Sequence, residues 1–427
     1  MKRVGVAILG LGTVGGGTYE ILTRNREWIK STQGIDVSVE CVLEINKERA
    51  LAMGVPEQKI ALQMAEVVSN PAVDIVVEVI GGIEPAKTFV LTALKHGKSV
   101  VTANKEMVSK YWHEIEAAAK SHRAGFYYEA SCVGGVPIIR TLIDGMQANR
   151  ILSLKGIING TTNFILSKMS KEGLDYAAVL AEAQAMGYAE ADPTADVEGY
   201  DASYKLSILA SLAFSAKVSL DKVYREGITR INKRDIAIGK DMGYTLKLLA
   251  IGKQSDNGIE VRVHPAFIKS NHPLASVDGS FNAVLLNGDM VDDIMLYGRG
   301  AGALPTGSAI VSDILYAAKQ TEHHYVHFDN TEHSSPSTVF VDNFKAEYYI
   351  RFSVPDETGV LAKIAGLFGE HGVSISEVLQ KGEAVNGLVT IIFITHITRE
   401  NSVRAAISEI ENRKIANSVE AIIRVEN

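Results

Sequence analysis

The chain has 427 residues, 46% hydrophobic and 22% charged, with a net charge of −7. That is enough for two or three domains with ordinary globular cores, and the acidic balance without a long basic run excludes nucleic acid or an anionic membrane as the main partner. Its two cysteines, Cys41 and Cys132, make neither a CxxC pair nor a disulfide framework, which fits a reducing compartment.

The N-terminus, MKRVGVAILGLG, has the basic start and apolar stretch of a secretory leader. Gly5, Gly10 and Gly12 break the apolar run, however, and no small-residue cleavage pattern follows, so a first β-strand explains it better. No later apolar run approaches the roughly 18 residues of a membrane span, and a soluble, cytoplasmic protein is expected.

Residues 4–9, VGVAIL, predict a buried parallel strand. Gly10-Leu11-Gly12-Thr13-Val14-Gly15 follows, then Gly16-Gly17 and a helical stretch, TYEILTRNREWI. In this order Gly10 makes a tight turn, Gly12 lets backbone approach a pyrophosphate, and Gly15 lets helix and strand pack closely. The free N–H groups at Thr13 and Val14 then face the pyrophosphate. A second strand over 37–44 ends at Glu44, where an acid that contacts a ribose belongs. That favours NAD, whereas Lys47 and Arg49 just beyond suit the 2′-phosphate of NADP, and both coenzymes stand. A Glu44 that merely caps an exposed strand end is the bland alternative.

VDIVVEVIGG (73–82), a helix over 85–96 and KSVVTANKEMV (98–108) close another βαβ unit. Thr102 and Lys105 fall at the carboxyl end of its last strand, the rim where open α/β sheets bind ligands. A lysine there is a solvated loop charge or a functional group, and its position favours function. A helix, EIEAAAKSH, leads to a strand within GFYYEASCVGGVP (125–137) that ends at Glu129. Gly134-Gly135 and Pro137 mark the turn into a helix at 138–148, the exit from the nucleotide domain.

ILSLKGII (151–158) is the next strand. Asn159-Gly160-Thr161-Thr162-Asn163 opens a helix and offers donors to an anion, or is a plain cap. The loop GYAEADPTADVEG (187–199) holds Glu190, Asp192, Asp196 and Glu198 within nine residues. Such loops are usually solvated. This one precedes a helix in which Asp201 and Lys205 stand four apart, in line with the apolar stripe of Ile208, Leu209 and Leu212. An exposed ion pair is the ordinary account; a half-buried lysine held for chemistry is the sharper one, and the loop then suits a cationic group such as an amino acid's ammonium. A hairpin about Asp256-Asn257-Gly258 and a second strand pair in FNAVLLNGDMVDDIMLYGRG complete an α+β substrate domain with an antiparallel or mixed sheet. The glycine-rich run from Gly298 through Gly302 then opens a long helix, as an anion cradle or a return crossing. HExxH and GxSxG are absent and the eleven histidines are scattered, with His323-His324 in a polar linker. Lysines, acids and the dinucleotide are left to carry the chemistry.

Residues 320–347, with Ser334-Ser335-Pro336-Ser337, make a linker and crossing segment. From Tyr348 the pattern restarts as a compact βαββαβ unit of ferredoxin-like order. It is an oligomerisation module or a small-ligand domain, with the site at the Asp356–Leu361 turn, where Gly359 lets a ligand approach. The expected domains are therefore 1–130 with a return helix at 303–319, 131–302, the linker 320–347, and 348–427.

GLGTVGGG, VVTANKEMV, YYEASCVGGVPIIR, GIINGTTNFIL, GYAEADPTADVEGYDASYKLSILA and GRGAGALPTGSAIVSDIL occur together and in order. They resemble the homoserine dehydrogenase family, through to about residue 318, and the tail resembles an ACT-type amino-acid-binding domain. With no aspartate kinase segment preceding, the monofunctional form is expected. The resemblance implies an α/β protein with a Rossmann-like first domain, and interconversion of L-homoserine and L-aspartate 4-semialdehyde with NAD(P) in threonine, methionine and isoleucine biosynthesis. It implies Lys205 as the proton-transferring lysine, Asp201 as the acid one turn before it, and Lys105 at the nicotinamide edge. Glu190 would take the substrate ammonium, with Asp196 in the same loop and Gly160 and Thr161 facing the substrate. The coenzyme seat would add Glu44, Thr102, Lys105 and Gly302 to the glycine fingerprint. Glu129, with the backbone carbonyls of Cys132, Gly134 and Val136, matches a structural monovalent cation site, for sodium. Threonine inhibition through the tail and a homodimer or homotetramer are implied as well. One departure stands out: many members carry arginine where this chain has Glu44-Ile45, which bears on the choice of coenzyme. The competing readings are another semialdehyde or hydroxy-amino-acid dehydrogenase, and a non-enzymatic amino-acid sensor, against which the intact Lys105, Glu190 and Lys205 speak.

Overall fold

The structure, a computed structural model, describes residues 1–326, 328 and 338–426. Its first layer is a parallel sheet of β1 (Lys2–Leu9), β2 (Ile35–Leu43), β3 (Ile60–Ala61), β4 (Ile75–Glu78), β5 (Ser99–Thr102) and β6 (Phe126–Tyr127), in the order β3-β2-β1-β4-β5-β6. Helices α1 (Thr13–Arg24), α2 (Arg26–Gln33), α3 (Lys47–Ala52), α4 (Met64–Ser69), α5 (Ala86–Lys95) and α6 (Lys105–Ser121) connect the strands. Val6, Ile8, Val76, Val77, Val100 and Val101 are fully buried, as parallel strands covered on both faces must be. The strand order reverses between β1 and β4, and the crevice at their carboxyl ends is where a doubly wound sheet takes its ligand.

Three local expectations change. The helix predicted through residue 29 breaks at Asn25, so that Ile29 drops into the core while Trp28 stays outside. The helix EIEAAAKSH is the second half of α6, which starts at Lys105 and bends at Tyr111. The strand in 125–137 is only two residues long, because Glu129 turns the chain to bond with backbone farther on.

After α7 (Ile138–Arg140), β7 (Ile151–Ile157) starts a second, mixed sheet. Helices α8 (Gly160–Glu172), α9 (Tyr176–Ala185), α10 (Thr194–Val197) and α11 (Tyr200–Ala213), the short β8 (Tyr224–Arg225) and α12 (Lys233–Asp241) precede its long hairpin, β9 (Tyr244–Ser255) with β10 (Gly258–Lys269). The pair β11 (Phe281–Gly288) and β12 (Asp292–Arg299) completes the unit. Helix α13 (Ala303–Lys319) then returns to the first domain. A Cβ on Gly17 would lie 2.2 Å from the Ala303 carbonyl oxygen, so α1 and α13 cross backbone against backbone. The segment after α13 stays with that domain: His323 Nδ1 lies 2.8 Å from the Tyr127 hydroxyl. The Ser334–Ser337 stretch lies outside the described residues.

The tail contains β13 (Lys345–Pro355), α14 (Val360–Glu370), β14 (Ile375–Val385), β15 (Leu388–Thr395), β16 (Thr398–Arg399), α15 (Glu400–Asn412) and β17 (Ser418–Glu426), the expected βαββαβ order with one extra bridge strand. It is not a separate bead. Its strand β17 pairs in parallel with β10, Ala266 to Arg424 through Ile268 to Glu426, making one sheet of eleven strands with the middle unit. Ion pairs hold the seam: Arg262 to Glu426, and Arg424, itself paired with Glu400 inside the tail, to Glu226.

Candidate active site

The glycine loop divides its labour. Gly10 has φ +94°, a conformation that favours glycine. A Cβ on Gly15 would sit 2.0 Å from the Gly10 carbonyl oxygen, so Gly15 is required for α1 to approach β1. A Cβ on Gly12 would meet nothing within 4 Å. Gly12 also caps α1 without a side-chain bond, and the first turn, from Thr13 and Val14, holds no acid. Open space over unpaired N–H groups at a helix start fits a pyrophosphate. Glu44 is buried at the end of β2, where its two oxygens accept Leu11 N–H at 2.7 Å and Asn46 N–H at 2.9 Å. It thus ties the glycine loop to the strand end and does not cap an exposed one, while each oxygen keeps a second lone pair. Lys47 is paired with Glu57 at 2.6 Å.

At the end of β5, the Thr102 hydroxyl donates to Glu78 Oε2 at 2.6 Å and accepts Asn104 N–H at 3.0 Å. Burial pushes the Glu78 carboxyl up. Asn104 caps α6 through Met107 N–H and donates to the Gly82 carbonyl at 2.6 Å. This braced turn sets Lys105 as the first residue of α6, aimed at α11.

Helix α11 explains the out-of-place charges. It is buried on nearly all sides, from Asp201 through Ser211, between α6 and the second sheet, so its charges lie inside. Lys205 Nζ donates to Asp201 Oδ2 at 2.7 Å and to the Ile158 carbonyl at 2.9 Å. Lys105 Nζ reaches the other oxygen, Asp201 Oδ1, at 2.9 Å. An ammonium has three N–H groups, so Lys205 retains one to aim at a ligand. Burial alone would raise the Asp201 carboxyl, but Lys205 and Lys105 outweigh it and hold Asp201 well below the usual carboxylate range. In return the Asp201 charge raises Lys105.

Asn159 is the hub that sequence reasoning passed over as a cap. Its side-chain N–H₂ donates to Asp196 Oδ1 at 2.7 Å and Asp201 Oδ2 at 2.9 Å, while its carbonyl oxygen accepts Thr162 N–H at 2.9 Å. One amide therefore starts α8 and orients both acids. Gly160 is needed beside it, since a Cβ would lie 2.9 Å from the Ser280 carbonyl oxygen. Thr161 donates to the Tyr188 carbonyl at 2.7 Å, fastening α8 to the acidic loop. Burial, then the charge of Asp201, raises the Asp196 carboxyl. Glu190 stands apart, with an exposed side chain and its backbone oxygen bonded to the Gln184 amide.

Residues 10–129 match the family model described as homoserine dehydrogenase, NAD binding domain; residues 137–315 match homoserine dehydrogenase; residues 348–414 match the ACT domain. The homoserine dehydrogenase of Neisseria gonorrhoeae is 41% identical over 433 residues, covering 100% of this chain and 99% of that protein. That of Bacillus subtilis is 40% identical over 435 residues at the same coverage. The crystal structure of a homoserine dehydrogenase from Thiobacillus denitrificans superposes with a TM-score of 0.93 at 41% identity, covering 100% of this chain and 99% of that one. The chain belongs to the homoserine dehydrogenase family. Its class is that of NAD(P)-dependent oxidoreductases acting on a CH–OH group.

Homoserine dehydrogenase resemblance also pointed to Glu129, which the fold sets apart from the lysines. Its oxygens accept Ile139 N–H at 2.9 Å and Arg140 N–H at 2.7 Å, and its own N–H donates to Asp313 Oδ2 at 2.8 Å. Burial, then the charge of Asp313, pushes Glu129 up to about 7; burial pushes Asp313 up to about 6. The Arg140 guanidinium pairs with Asp313, from Nη2 at 2.7 Å, and with Asp144 at 3.3 Å, and among the described residues Glu129 has no ion pair of its own. That deficit of positive charge, with the Cys132–Val136 backbone turned by φ +56° at Val133 and +51° at Gly134, fits a hard cation held by one carboxylate and carbonyls. Gly134 meets the loop before α13, a Cβ there falling 2.4 Å from the Gly300 carbonyl oxygen, and Gly302 then caps α13 at φ +116°. The Cys132 thiol, fully buried beside the Lys205 carbonyl, is pushed up to about 12, so it stays protonated.

Proposed function

We propose that the cluster about Asp201 interconverts L-homoserine and L-aspartate 4-semialdehyde. The observation that carries this reading is that lysines from two domains share the two oxygens of one buried carboxylate. When bound, NAD(P) supplies or accepts the hydride. Lys105, kept protonated by Asp201, is the cation opposite charge that develops on the substrate oxygen. Lys205, through its remaining N–H, passes the proton to and from that oxygen. Asp201 orients both amines. Asp196, backed by Asn159, and Glu190 at the loop take the substrate ammonium, and Gly160 and Thr161 face the substrate from the start of α8.

The coenzyme lies over Gly10, Gly12, Thr13, Val14 and Gly15, with Glu44 toward the ribose and Thr102, Lys105 and Gly302 lining the crevice. Support comes from the open space at Gly12 and the uncapped start of α1. Sodium, held by Glu129 and the carbonyls of Cys132, Gly134 and Val136, would neutralise the Glu129–Asp313 pair. The tail takes an amino-acid effector, threonine first, in a cytoplasmic homodimer or homotetramer serving threonine and methionine biosynthesis. No helix among the described residues is long and apolar enough to cross a membrane.

Initial rates with NAD and NADP, each with and without threonine, test the reading, with related hydroxy amino acids in place of homoserine as the specificity arm. Turnover of homoserine above its relatives is expected. Faster turnover of another hydroxy amino acid would move the specificity, and no NAD(P)-dependent turnover would leave the sensor alternative.

A further inference from the structure

A cavity of about 650 Å³ lies between α15 and β17 of the tail and the segment from Glu226 to Asp235 of the middle unit. Its size is that of a small-ligand site. One wall is closed by paired charges: Arg424 with Glu226 and Glu400, and Arg404 with Glu400. Four other charged side chains that line it are left over. Among the described residues, Glu198, Arg225, Arg230 and Glu411 make no ion pair. Two guanidinium groups and two carboxylates around a void complement a molecule with a carboxylate at one end and an ammonium at the other. Arginine takes a carboxylate through two parallel N–H bonds, and glutamate takes the ammonium.

The same cavity touches the active-site helix. The Arg225 guanidinium stacks 3.6 Å over the Tyr200 ring and donates to the Glu198 carbonyl oxygen. Tyr200 is the residue before Asp201. Ile228 N–H donates to the Val197 carbonyl at 2.8 Å, and the Thr229 hydroxyl donates to Glu198 Oε1 at 2.8 Å. A Cβ on Gly227 would lie 2.4 Å from the Val197 carbonyl oxygen, so the 225–229 segment is seated directly on the turn that starts α11. A carboxylate that captured Arg225 would compete with its contacts to Glu198 and Tyr200. The first turn of α11, which carries Asp201 and through it both lysines, would then shift.

We propose that this interdomain cavity binds a small α-amino acid as its zwitterion, and that occupancy re-seats the start of α11 and lowers turnover. This rests on the reading of the tail as regulatory and differs from it in place: the Asp356–Leu361 turn lies elsewhere on the tail. Because effector and substrate would be coupled through one helix, the effector should weaken homoserine binding by the factor that homoserine weakens effector binding.

The test uses the full chain. The proteinogenic L-amino acids, threonine first, are titrated one at a time by calorimetry and against initial rates. The one that binds is then titrated into R230Q, E411Q and D356N, with inhibition scored against each variant's own uninhibited rate. R230Q and E411Q, both surface changes checked by circular dichroism, should each weaken binding about tenfold, the loss of one charge-assisted bond, while D356N should bind as the parent does. Unchanged affinity in R230Q and E411Q with a loss in D356N would put the effector at the turn, ending the cavity proposal and leaving tail regulation in place. If no amino acid binds or changes the rate of the parent chain, the regulatory reading fails and the cavity site fails with it.

Discussion

Replacing Lys205 by methionine keeps most of the side-chain volume and deletes the amine. The surroundings decide what is lost. Asp201 still has Lys105 at 2.9 Å and the Asn159 amide at 2.9 Å, so it is not left as an orphaned buried charge. The stability cost is then that of the two bonds Lys205 makes, to Asp201 and to the Ile158 carbonyl, about 1.5–3 kcal/mol each, without the added penalty of stranding a buried ion. Turnover should fall by about 10²–10⁴-fold if Lys205 carries the proton, or about 3–5 kcal/mol in the barrier. The assay is a single-turnover measurement of nicotinamide absorbance with coenzyme and homoserine saturating, so that binding does not mask the chemical step. Circular dichroism and the unfolding midpoint check the fold. A well-folded K205M with turnover within about threefold of the parent, against the 10²-fold floor for acid–base catalysis, would refute the assignment.

Gly12→Ala and Gly15→Ala should separate binding from folding. G12A meets no protein atom within 4 Å, so it should keep the parent's unfolding midpoint and lose coenzyme affinity; unchanged affinity by fluorescence titration would count against the pyrophosphate seat. G15A drives a Cβ to 2.0 Å from the Gly10 oxygen and should cost about 1–3 kcal/mol in chemical denaturation. Glu116 is pushed by burial from the ordinary 4.5 up to about 7, so the folded state holds a proton the unfolded chain has released. Its stabilising contribution is present below about pH 4.5 and is lost as pH rises through about 7. E116Q, which mimics the protonated form, should match the parent near the acid end of that window and melt higher above it; an equal difference at both ends would be inconsistent with burial as the cause. Deleting residues 348–427 should bare the β10 edge and strip Arg262, fully buried, of Glu426, giving an aggregating chain; a monodisperse product with an unchanged midpoint on size exclusion and calorimetry would show that the shared sheet is dispensable.

Much of the candidate site was legible because it is local. The order strand, GxGxxG, helix follows from what a tight turn and a close helix–strand approach demand of residue type. Lys105 announced itself by standing at the carboxyl rim of a strand, and Asp201 and Lys205 by sharing a helix face four residues apart, a spacing that helix geometry alone converts into a 2.7 Å contact. The tail declared its βαββαβ order through alternation and helical periodicity. Other features had no local signature. That Lys105 meets Asp201 depends on α6 packing against α11 across a domain boundary. Asn159 looked like any helix cap until folding brought two acids to its amide. Glu129 read as a strand end, yet it leaves the strand to satisfy the N–H groups that start α7. The tail read as a unit of its own, yet β17 extends the middle sheet, because the edge of β10 from Ala266 to Ile268 takes its ladder partner from the chain's last residues and Arg262, already paired with Glu260, gains Glu426 at the same seam. Residue type and short spacing set which chemistry was available; desolvation and long-range packing, which linear order does not encode, chose the charges that share a pocket and therefore what each of them can do.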